Sequence, residues 1–243
     1  MPDSTPSCGK RNMKTIFETD REFICDIQAP CFRDLGPEET EFIRSGKTQV
    51  LFRKGDNLTK QGAFTSYVLF LITGLAKQYL ESNSTKTFNL RIIRPGEFLG
   101  LSAVFHGNVF GCSSSALTDC QAFLIEKEAI AKVIKQNGQF GFSLIRKYTE
   151  QNNNLLSVIR NLNHKQMNGR LSDTLLYLDA LKTEYPEIFT LLSRKDLADF
   201  TGISTESTVK LLKTFEKDGL IELQDKDIVI KNHGILSEIS KKG

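Results

Sequence analysis

The sequence lacks any apolar run long enough to cross a bilayer, since a transmembrane helix needs about 20 consecutive apolar residues. The first residues, MPDSTPSCGKRNMKTIFETD, also lack the apolar core of a secretory signal peptide. These two absences argue against a membrane-spanning or secreted protein. We therefore expect a cytoplasmic protein without a membrane partner.

The chain also lacks a strong charge of either sign. Its 32 lysines and arginines stand against 29 acidic residues and give a formal net charge of +3, which neither requires nor excludes a nucleic-acid partner. From His164 onward the basic residues only about balance the acidic ones. Any affinity for DNA must therefore come from local basic patches.

Catalytic constellations are missing as well. The sequence contains no Ser/His/Asp grouping, paired carboxylates or glycine-rich phosphate loop in the context that each chemistry requires. This absence argues against an enzyme. The chain has 5 cysteines, and in a cytoplasmic protein we interpret them as free thiols or as ligands of a metal or cofactor, rather than as a disulfide framework.

Short β-rich runs punctuated by glycine fill residues 47–127. Runs such as TQVLF, YVLFLITG and TFNLRII alternate with Gly and Asn/Asp turns, which is typical of an antiparallel barrel or sandwich. Before them, the first twenty or so residues are polar and irregular, and we predict a flexible tail with order beginning near Phe23. After them, we predict a short helix over 126–136 and a long one over 138–162.

The long helix carries a repeat with the spacing 3, 4, 3, 4, 3, which is the a/d pattern of a coiled coil. Its members are Ile145, Tyr148, Asn152, Leu155, Ile159 and Leu162. The pattern predicts a parallel homodimer, in which the polar Asn152 lowers stability but fixes the register. The alternative is that the stripe packs on the chain's own barrel, with neighbouring contacts from Phe140, Phe142, Leu144 and Leu156.

Residues 192–230 have the pattern of a winged helix-turn-helix. Ser193 can cap a first helix together with Asp196, three residues further on. Gly202 then supplies the permissive backbone of a turn, and Ser204 can cap a second helix. Two short apolar strands follow, on either side of the polar turn 224–227, and they predict the wing.

The second helix of this motif has two different faces. Val209, Leu212 and Phe215 repeat on the side that would pack, while the other side is polar, long and cationic. In a recognition helix, early residues read base edges and later lysines meet phosphates. The predicted DNA-contacting residues are Ser204, Thr205, Glu206, Ser207, Lys210, Lys213 and Lys217. The alternative, a helical hairpin with a merely solvated charged face, is disfavoured by the predicted wing.

The order of barrel, long helix and winged helix-turn-helix resembles the cyclic-AMP receptor protein and fumarate-nitrate regulator (Crp/Fnr) family of bacterial transcription factors. The resemblance covers the chain from about Cys25 to Ile230. It implies an α+β fold and a dimeric regulator that binds an inverted repeat in double-stranded DNA, works with RNA polymerase and is switched by a signal in its N-terminal half. The segments that carry it are FRKGDNLTKQG, YVLFLITGLAKQYL, RPGEFLGLSAVF and LSRKDLADFTGISTESTVKLLKTFEKDGLIEL.

The family's recognition-helix pattern carries over in part. Glu206 falls on the base-reading glutamate, and Lys210 falls where arginine is most common. A carboxylate can accept from cytosine N4, and a basic group can donate to guanine N7 and O6. Because lysine lacks the planar fork of arginine, we expect the Lys210 contact to be weaker or partly with phosphate.

The family's cyclic-nucleotide pocket does not carry over. Members that bind cyclic AMP supply a glutamate for the ribose and an arginine-serine pair for the phosphate, whereas here Leu101 stands at the glutamate position and the loop 106–112 contains no arginine. A buried phosphate without a cationic partner is unfavourable, so we expect cyclic AMP not to bind. A pocket for another effector is predicted around Gly96, Glu97, Gly100, Leu101, His106 and Cys112.

The cysteines offer a second route for the signal. Oxygen-sensing members of the family hold an iron-sulfur cluster with several N-terminal cysteines and one from the barrel, an arrangement similar to that of Cys8, Cys25, Cys31 and Cys112 here. The tight C-x2-C that usually anchors such a cluster is absent. An iron-sulfur cluster, another thiol or haem mechanism and no sensing role all stay open, whereas Cys120 is interpreted as core.

A haem would find three candidate ligands in Met13, His106 and His164.

The whole pattern predicts four segments: a flexible tail (1–22), a sensor barrel (23–137), a dimerisation helix (138–163) and a DNA-binding domain (164–243). The alternative function is a ligand-binding barrel that acts through protein partners rather than DNA, as in nucleotide-gated channels. The helix-turn-helix and the missing pocket residues both disfavour that alternative.

Overall fold

The computed structural model describes residues 13–17, 20, 32, 34–82 and 86–243. Nine strands make up the N-terminal half of the described chain. They are β1 (Lys14–Ile16), β2 (Lys47–Phe52), β3 (Asn57–Thr59), β4 (Tyr67–Thr73), β5 (Ala76–Glu81), β6 (Thr87–Ile93), β7 (Phe98–Leu99), β8 (Ser113–Ala116) and β9 (Cys120–Glu126).

Helices flank these strands and form most of the C-terminal half. Those of the N-terminal half are α1 (Pro37–Ser45), α2 (Ser102–Phe105) and α3 (Lys127–Gln136). They are followed by α4 (Gly138–His164), α5 (Met167–Lys182), α6 (Arg194–Thr201), α7 (Thr205–Lys217) and α8 (His233–Lys242). Between α7 and α8 lie the two strands of the wing, β10 (Ile221–Gln224) and β11 (Asp227–Ile230). The mixed helix and sheet architecture confirms the predicted fold class.

Two antiparallel sheets face each other in the N-terminal half, with the strand orders β1-β2-β9-β4-β7 and β3-β8-β5-β6. Their facing sides share an apolar core that includes Val50 and Leu71 from the first sheet and Ala76 and Ile93 from the second. The other side of the first sheet packs on a second core with residues of α1, α3 and α4. Strand β4 is therefore buried on both faces, which explains its continuous apolar run.

Strand β1 corrects the predicted tail. Lys14 pairs with Leu51, and Ile16 pairs with Gln49, in antiparallel register on the open edge of β2. Ile16 is buried, so ordering these residues hides apolar surface and satisfies backbone groups on a sheet edge. The prediction that order begins near Phe23 was wrong for residues 14–16, because three residues are too short to show a periodic pattern.

The long helix α4 starts at a sequence signal that can be traced. The side chain of Asn137 accepts a hydrogen bond from the backbone N–H of Phe140 at 3.0 Å and so caps the helix. Phe140 and Leu144, in its first two turns, are buried against the sensor sheet. Within the described residues, no helix has both the length and the apolarity that a membrane span requires.

The C-terminal helices share an apolar cluster that continues into the sensor half. Leu171, Leu175 and Leu178 of α5 are fully buried, since their spacing of four and three residues places them on one side of the helix. The same cluster includes Leu75 and Ile92, which lie on the sensor side. The two halves of the protein are thus packed together, and this packing positions the helix-turn-helix on the β3-β8-β5-β6 sheet.

Candidate functional site

The first helix of the helix-turn-helix, α6, is held by the capping box expected from the sequence. Ser193 Oγ accepts from the backbone N–H of Asp196 at 3.1 Å, and the Asp196 carboxylate accepts from the backbone N–H of Ser193 at 2.8 Å. Gly202 ends the helix in the left-handed region, with φ of 68°. A Cβ at this position would lie 3.0 Å from Leu162 and 3.2 Å from Phe88, so both the turn and the packing favour glycine.

The second helix, α7, has the two faces predicted from its sequence. Leu212 and Phe215 are buried, and Val209 is half-buried. The polar side consists of exposed side chains, and Glu206 and Lys210 form an ion pair at 2.8 Å one helical turn apart. The exposed members of this polar side are Ser204, Thr205, Glu206, Lys210, Lys213 and Lys217.

The serines at the start of α7 also have a structural role. Ser204 Oγ accepts from the backbone N–H of Ser207 at 3.0 Å, and the two hydroxyls lie 2.9 Å apart. This cap orients the first turn, whose free N–H groups and positive dipole end favour phosphate. Ser207 is half-buried, unlike its neighbours on the polar face.

The wing forms from the two predicted strands. Ile221 pairs with Ile230, and Leu223 pairs with Ile228, across a turn in which Asp225 has a positive φ of 53°. A contact that the sequence did not reveal ties the wing to α7: the Glu216 carboxylate accepts from the backbone N–H of Leu223 at 3.0 Å. The wing and the second helix are therefore held as one surface.

The a/d stripe of α4 lies on the surface of the protomer. Ile145 is 60% exposed and Ile159 is 53% exposed, and Asn152 is exposed between them. The alternative of packing on the chain's own barrel is correct for Phe140 and Leu144 but wrong for Phe142 and Leu156, which are exposed. Leu162 lies close to Gly202 of the same chain. The other apolar side chains of the stripe are exposed and available to a partner helix.

The structure divides the six residues predicted for an effector pocket. Gly96, Glu97 and Leu101 line one cavity of about 320 Å³ with residues of α4. Gly100, His106 and Cys112 do not line it. The ring of Phe110 packs directly on Gly100, where a Cβ would come within 2.5 Å of it, and His106 is exposed on the following loop. Only three of the six residues therefore lie at this cavity, because an aromatic ring fills the space beside Gly100.

The described residues fit a cyclic nucleotide poorly. Leu101, at the position of the family's ribose-binding glutamate, is buried in an apolar core beside Phe98. The Arg91 guanidinium is largely buried but already contacts the Glu97 carboxylate. A cyclic phosphate would have to displace Glu97 and leave that carboxylate partly buried without a full partner, which is unfavourable.

We expect neither cyclic AMP nor cyclic GMP to stabilise the protein. A ligand that binds only the folded state at 100 times its Kd raises the free energy of unfolding by about 2.7 kcal/mol. Thermal unfolding with either nucleotide at 1 mM should therefore match unfolding with the same concentration of AMP, which controls for ionic effects. A clear rise in Tm with a cyclic nucleotide alone would contradict the prediction.

Two cysteines lie within the described residues, and neither has the properties of a redox thiol. Burial raises the pKa of Cys112, an effect that the positive charge of Arg91 partly offsets. Burial also raises the pKa of Cys120 to about 11, and its thiol donates to the Leu75 carbonyl at 3.3 Å. Both thiols are therefore poor sources of thiolate at neutral pH. Cys120 is core, as expected.

The described residues do not fit a cluster or a haem. Among them, no three His, Cys, Asp or Glu side chains are grouped so that they could hold a metal ion. Met13, His106 and His164 are exposed, and they lie on different parts of the fold. The remaining predicted ligands, Cys8, Cys25 and Cys31, lie outside the described residues.

A set of polar contacts that the sequence did not predict joins the helix-turn-helix to the sensor sheet. Lys77 of β5 forms an ion pair with the Asp196 carboxylate, and both side chains are mostly buried. Asn89 Nδ2 of β6 donates to the Asp196 backbone carbonyl at 3.0 Å. Burial alone would raise the pKa of Asp196, but the hydrogen bonds from Lys77 and Ser193 outweigh it and hold that pKa below its ordinary value.

Two further hydrogen bonds extend this interface. Thr87 Oγ1 donates to the Asp199 carboxylate at 2.7 Å, and the backbone N–H of Ile92 donates to the Tyr177 hydroxyl at 2.9 Å. They connect β6 to α6 and α5, respectively. The position of the helix-turn-helix is therefore set by direct contacts with the sensor sheet.

Comparisons with known proteins agree with this architecture. Residues 49–137 match the family model of the cyclic nucleotide-binding domain, and residues 169–239 match that of the Crp-like helix-turn-helix domain. The chain is 24% identical over 195 residues to the anaerobic regulatory protein of Bacillus subtilis, covering 78% of this chain and 82% of that protein. It is 22% identical over 218 residues to a CRP-like cAMP-activated global transcriptional regulator of Mycobacterium tuberculosis, covering 84% of this chain and 93% of that protein.

Solved structures share the fold. The c-di-GMP responsive global regulator CLP of Xanthomonas campestris superposes with a TM-score of 0.71 at 17% identity, over 81% of this chain and 100% of that chain. FixK2 from Bradyrhizobium japonicum gives a TM-score of 0.69 at 18% identity, over 79% of this chain and 96% of that chain. At these identities the likeness concerns the fold alone.

The fold, the helix-turn-helix and the two family matches define a DNA-binding transcription regulator with an N-terminal ligand-binding domain. The chain belongs to the Crp/Fnr family, whose members are regulators of transcription rather than enzymes. The alternative of a barrel that acts only through protein partners does not account for the Crp-like helix-turn-helix.

Proposed function

We propose that this protein is a homodimeric transcription regulator that binds an inverted-repeat site in double-stranded DNA. The observation that carries the proposal is the exposed polar face of α7, presented by a capped turn and braced by the wing. Such a helix fits the major groove with its N-terminal residues at the base edges. RNA polymerase is the proposed protein partner, and the cytoplasm the proposed location.

In this proposal the residues of α7 divide into two kinds of contact. Glu206 accepts from cytosine N4 and Lys210 donates to guanine or phosphate, since their side chains already lie together at 2.8 Å on the exposed face. Lys213 and Lys217 lie one and two turns further along and meet phosphates. Thr205 and the capping serines, Ser204 and Ser207, contact the backbone or bases at the start of the helix.

Dimerisation through α4 gives the inverted repeat its physical basis. Two protomers related by a twofold axis place two α7 helices in successive major grooves, about one helical turn apart. The exposed stripe supports this arrangement because its apolar side chains would otherwise face water. Residues 138–163 are the proposed dimerisation helix, between a sensor domain (23–137, with β1 added to its sheet) and a DNA-binding domain (164–243).

For the signal, we propose a small molecule other than cyclic AMP. The raised pKa values of Cys112 and Cys120 argue against a thiol switch at these positions. An iron-sulfur cluster or haem stays a prediction that depends on Cys8, Cys25 and Cys31, outside the described residues.

Substitutions on α7 should separate base reading from phosphate binding. We expect Glu206→Ala to relax the preference at one base-pair position by about 1 to 3 kcal/mol, because the carboxylate is the group that discriminates. Lys213→Ala and Lys217→Ala should weaken binding to all sequences alike and reduce the salt dependence of the affinity. Selection from a randomised DNA library, followed by gel shifts at several salt concentrations, measures both effects.

Lys135→Ala is the matched control, since this exposed lysine lies on α3 in the sensor domain. It should change neither base preference nor salt slope. An equal loss from all α7 substitutions with an unchanged base preference would show that Glu206 does not read sequence.

A further inference from the structure

A cavity of about 310 Å³ lies between the sensor and DNA-binding domains, where β6, α4, α5 and α6 meet. Its size falls within the lower range of small-molecule sites in proteins. It is separate from the residues of the predicted effector pocket: apart from Arg94, it shares no lining residue with the cavity beside Gly96. Since its walls come from both domains, its shape depends on how the DNA-binding domain is docked.

One wall of the cavity carries a cation without a counter-ion. Among the described residues, no carboxylate lies within ion-pair distance of the Arg170 guanidinium, and its Nε is buried without a hydrogen-bond partner. The other charges nearby are already paired: Asp173 with Lys165 at 2.5 Å, and Arg91 with Glu97. A partly buried guanidinium without a partner is unfavourable, and a bound anion would relieve that cost.

The rest of the lining is suited to an organic molecule rather than to a bare ion. Three aromatic rings, those of Phe88, Tyr177 and Phe200, line the cavity, and the last two have centroids 6.2 Å apart. Asn154, Ser157 and Asn161 add amide and hydroxyl groups along one side of α4. The Oδ1 atom of Asn89, also a lining residue, is a buried acceptor without a described partner.

We propose that this interdomain cavity binds a small monocyclic aromatic anion, smaller than a nucleotide, whose phosphate or carboxylate pairs with Arg170. The proposal rests on the proposed function and gives a binding site for its small-molecule signal. A ligand that contacts both domains stabilises the docked arrangement relative to any arrangement in which the domains separate. The ring packs among the aromatic side chains, and the amides of α4 donate to the anion. The ligand thus binds the sensor and the DNA-binding helices at once.

Calorimetric titration of the full-length protein with phenyl phosphate tests this assignment. We expect the wild type to bind phenyl phosphate, and to bind inorganic phosphate or phenol at least roughly tenfold more weakly, because each supplies only half of the interaction. Arg170→Gln should weaken phenyl phosphate binding by roughly tenfold or more, since a charge-assisted bidentate contact is lost. Arg170→Lys should retain part of it.

Two variants control for folding and for general loss of charge. Val158→Trp fills the cavity from α4 without removing a charge and should abolish binding, whereas Arg44→Gln on the exposed face of α1 should leave it unchanged. Circular dichroism checks that each variant is folded. The assignment would be overturned if the wild type did not bind phenyl phosphate. It would also be overturned if folded Arg170→Gln and folded Val158→Trp each bound phenyl phosphate as tightly as the wild type. DNA affinity measured without added ligand tests the proposed function separately, so the two can fail independently.

Discussion

Replacing Ile145 and Ile159 with glutamate should convert the protein to monomers and lower its affinity for an inverted repeat by roughly a hundredfold or more. Both side chains are more than half exposed in the protomer, so the substitutions disturb little within one chain. In a dimer they would place unpaired carboxylates in an apolar seam, which costs several kcal/mol per buried charge. Sedimentation velocity at micromolar concentration and gel shifts with full and half sites measure the two effects.

A matched variant on the same helix separates charge from position. Asn153→Glu adds one negative charge at an exposed site next to, but outside, the a/d stripe. It should leave the protein dimeric. The dimer proposal fails if the wild type sediments as a monomer with and without DNA, or if the double variant stays dimeric. Retained half-site binding by the double variant would show that its recognition helix is still folded.

The parts of this fold that the sequence predicted are those with local signals. The capping box of Ser193 and Asp196, the turn at Gly202 and the heptad spacing on α4 each act over a few residues. Strand β1 escaped prediction because its stability comes from the edge of β2, which lies more than 30 residues away in the chain. Helix α8 was also missed, although Asn232 caps it by accepting from Ile235 N at 3.0 Å.

The sequence predicted one feature of the effector site, and the features that it did not predict depend on tertiary packing. The departure of Leu101 from the family pattern was visible in the sequence, and its burial beside Phe98 agrees with that reading. The family pattern could not show that Phe110 would pack on Gly100 or that Arg91 would be paired with Glu97. These contacts depend on tertiary packing, which no local spacing encodes.

The interface between the domains was invisible to sequence reasoning because its partners are distant along the chain. Lys77 and Asp196 are 119 residues apart, and each has another plausible role, as a surface lysine and as a helix cap. Only the fold brings them together. The same is true of the cavity around Arg170, whose walls come from four separate elements.

Removing the cation from the domain interface should lower the stability of the protein measurably. We expect Lys77→Met to lower the free energy of unfolding by about 1 to 3 kcal/mol at pH 7, because the mostly buried Asp196 carboxylate loses its ionic partner. Methionine keeps much of the length and apolar volume of lysine, so the loss reports on the charge rather than on packing. Urea unfolding followed by circular dichroism measures it.

The pH dependence of stability gives this prediction a second, independent readout. Since the folded pKa of Asp196 is lowered, its contribution is fully present above about 4, the ordinary pKa of aspartate, and is lost as the pH falls through the lower folded value. Lys77→Met removes a contact that lowers this pKa, so less stability depends on the ionised carboxylate, and the stability difference between wild type and Lys77→Met should narrow as the pH falls below about 4. Lys242→Met, which removes an exposed partner of Glu238, should change neither the stability at pH 7 nor the pH profile. Parallel pH profiles for wild type and Lys77→Met would show that the ion pair does not hold the DNA-binding helices on the sensor, whereas profiles that converge on the acid side for Lys77→Met, with no difference from wild type at any pH for Lys242→Met, identify Asp196 as the titrating group.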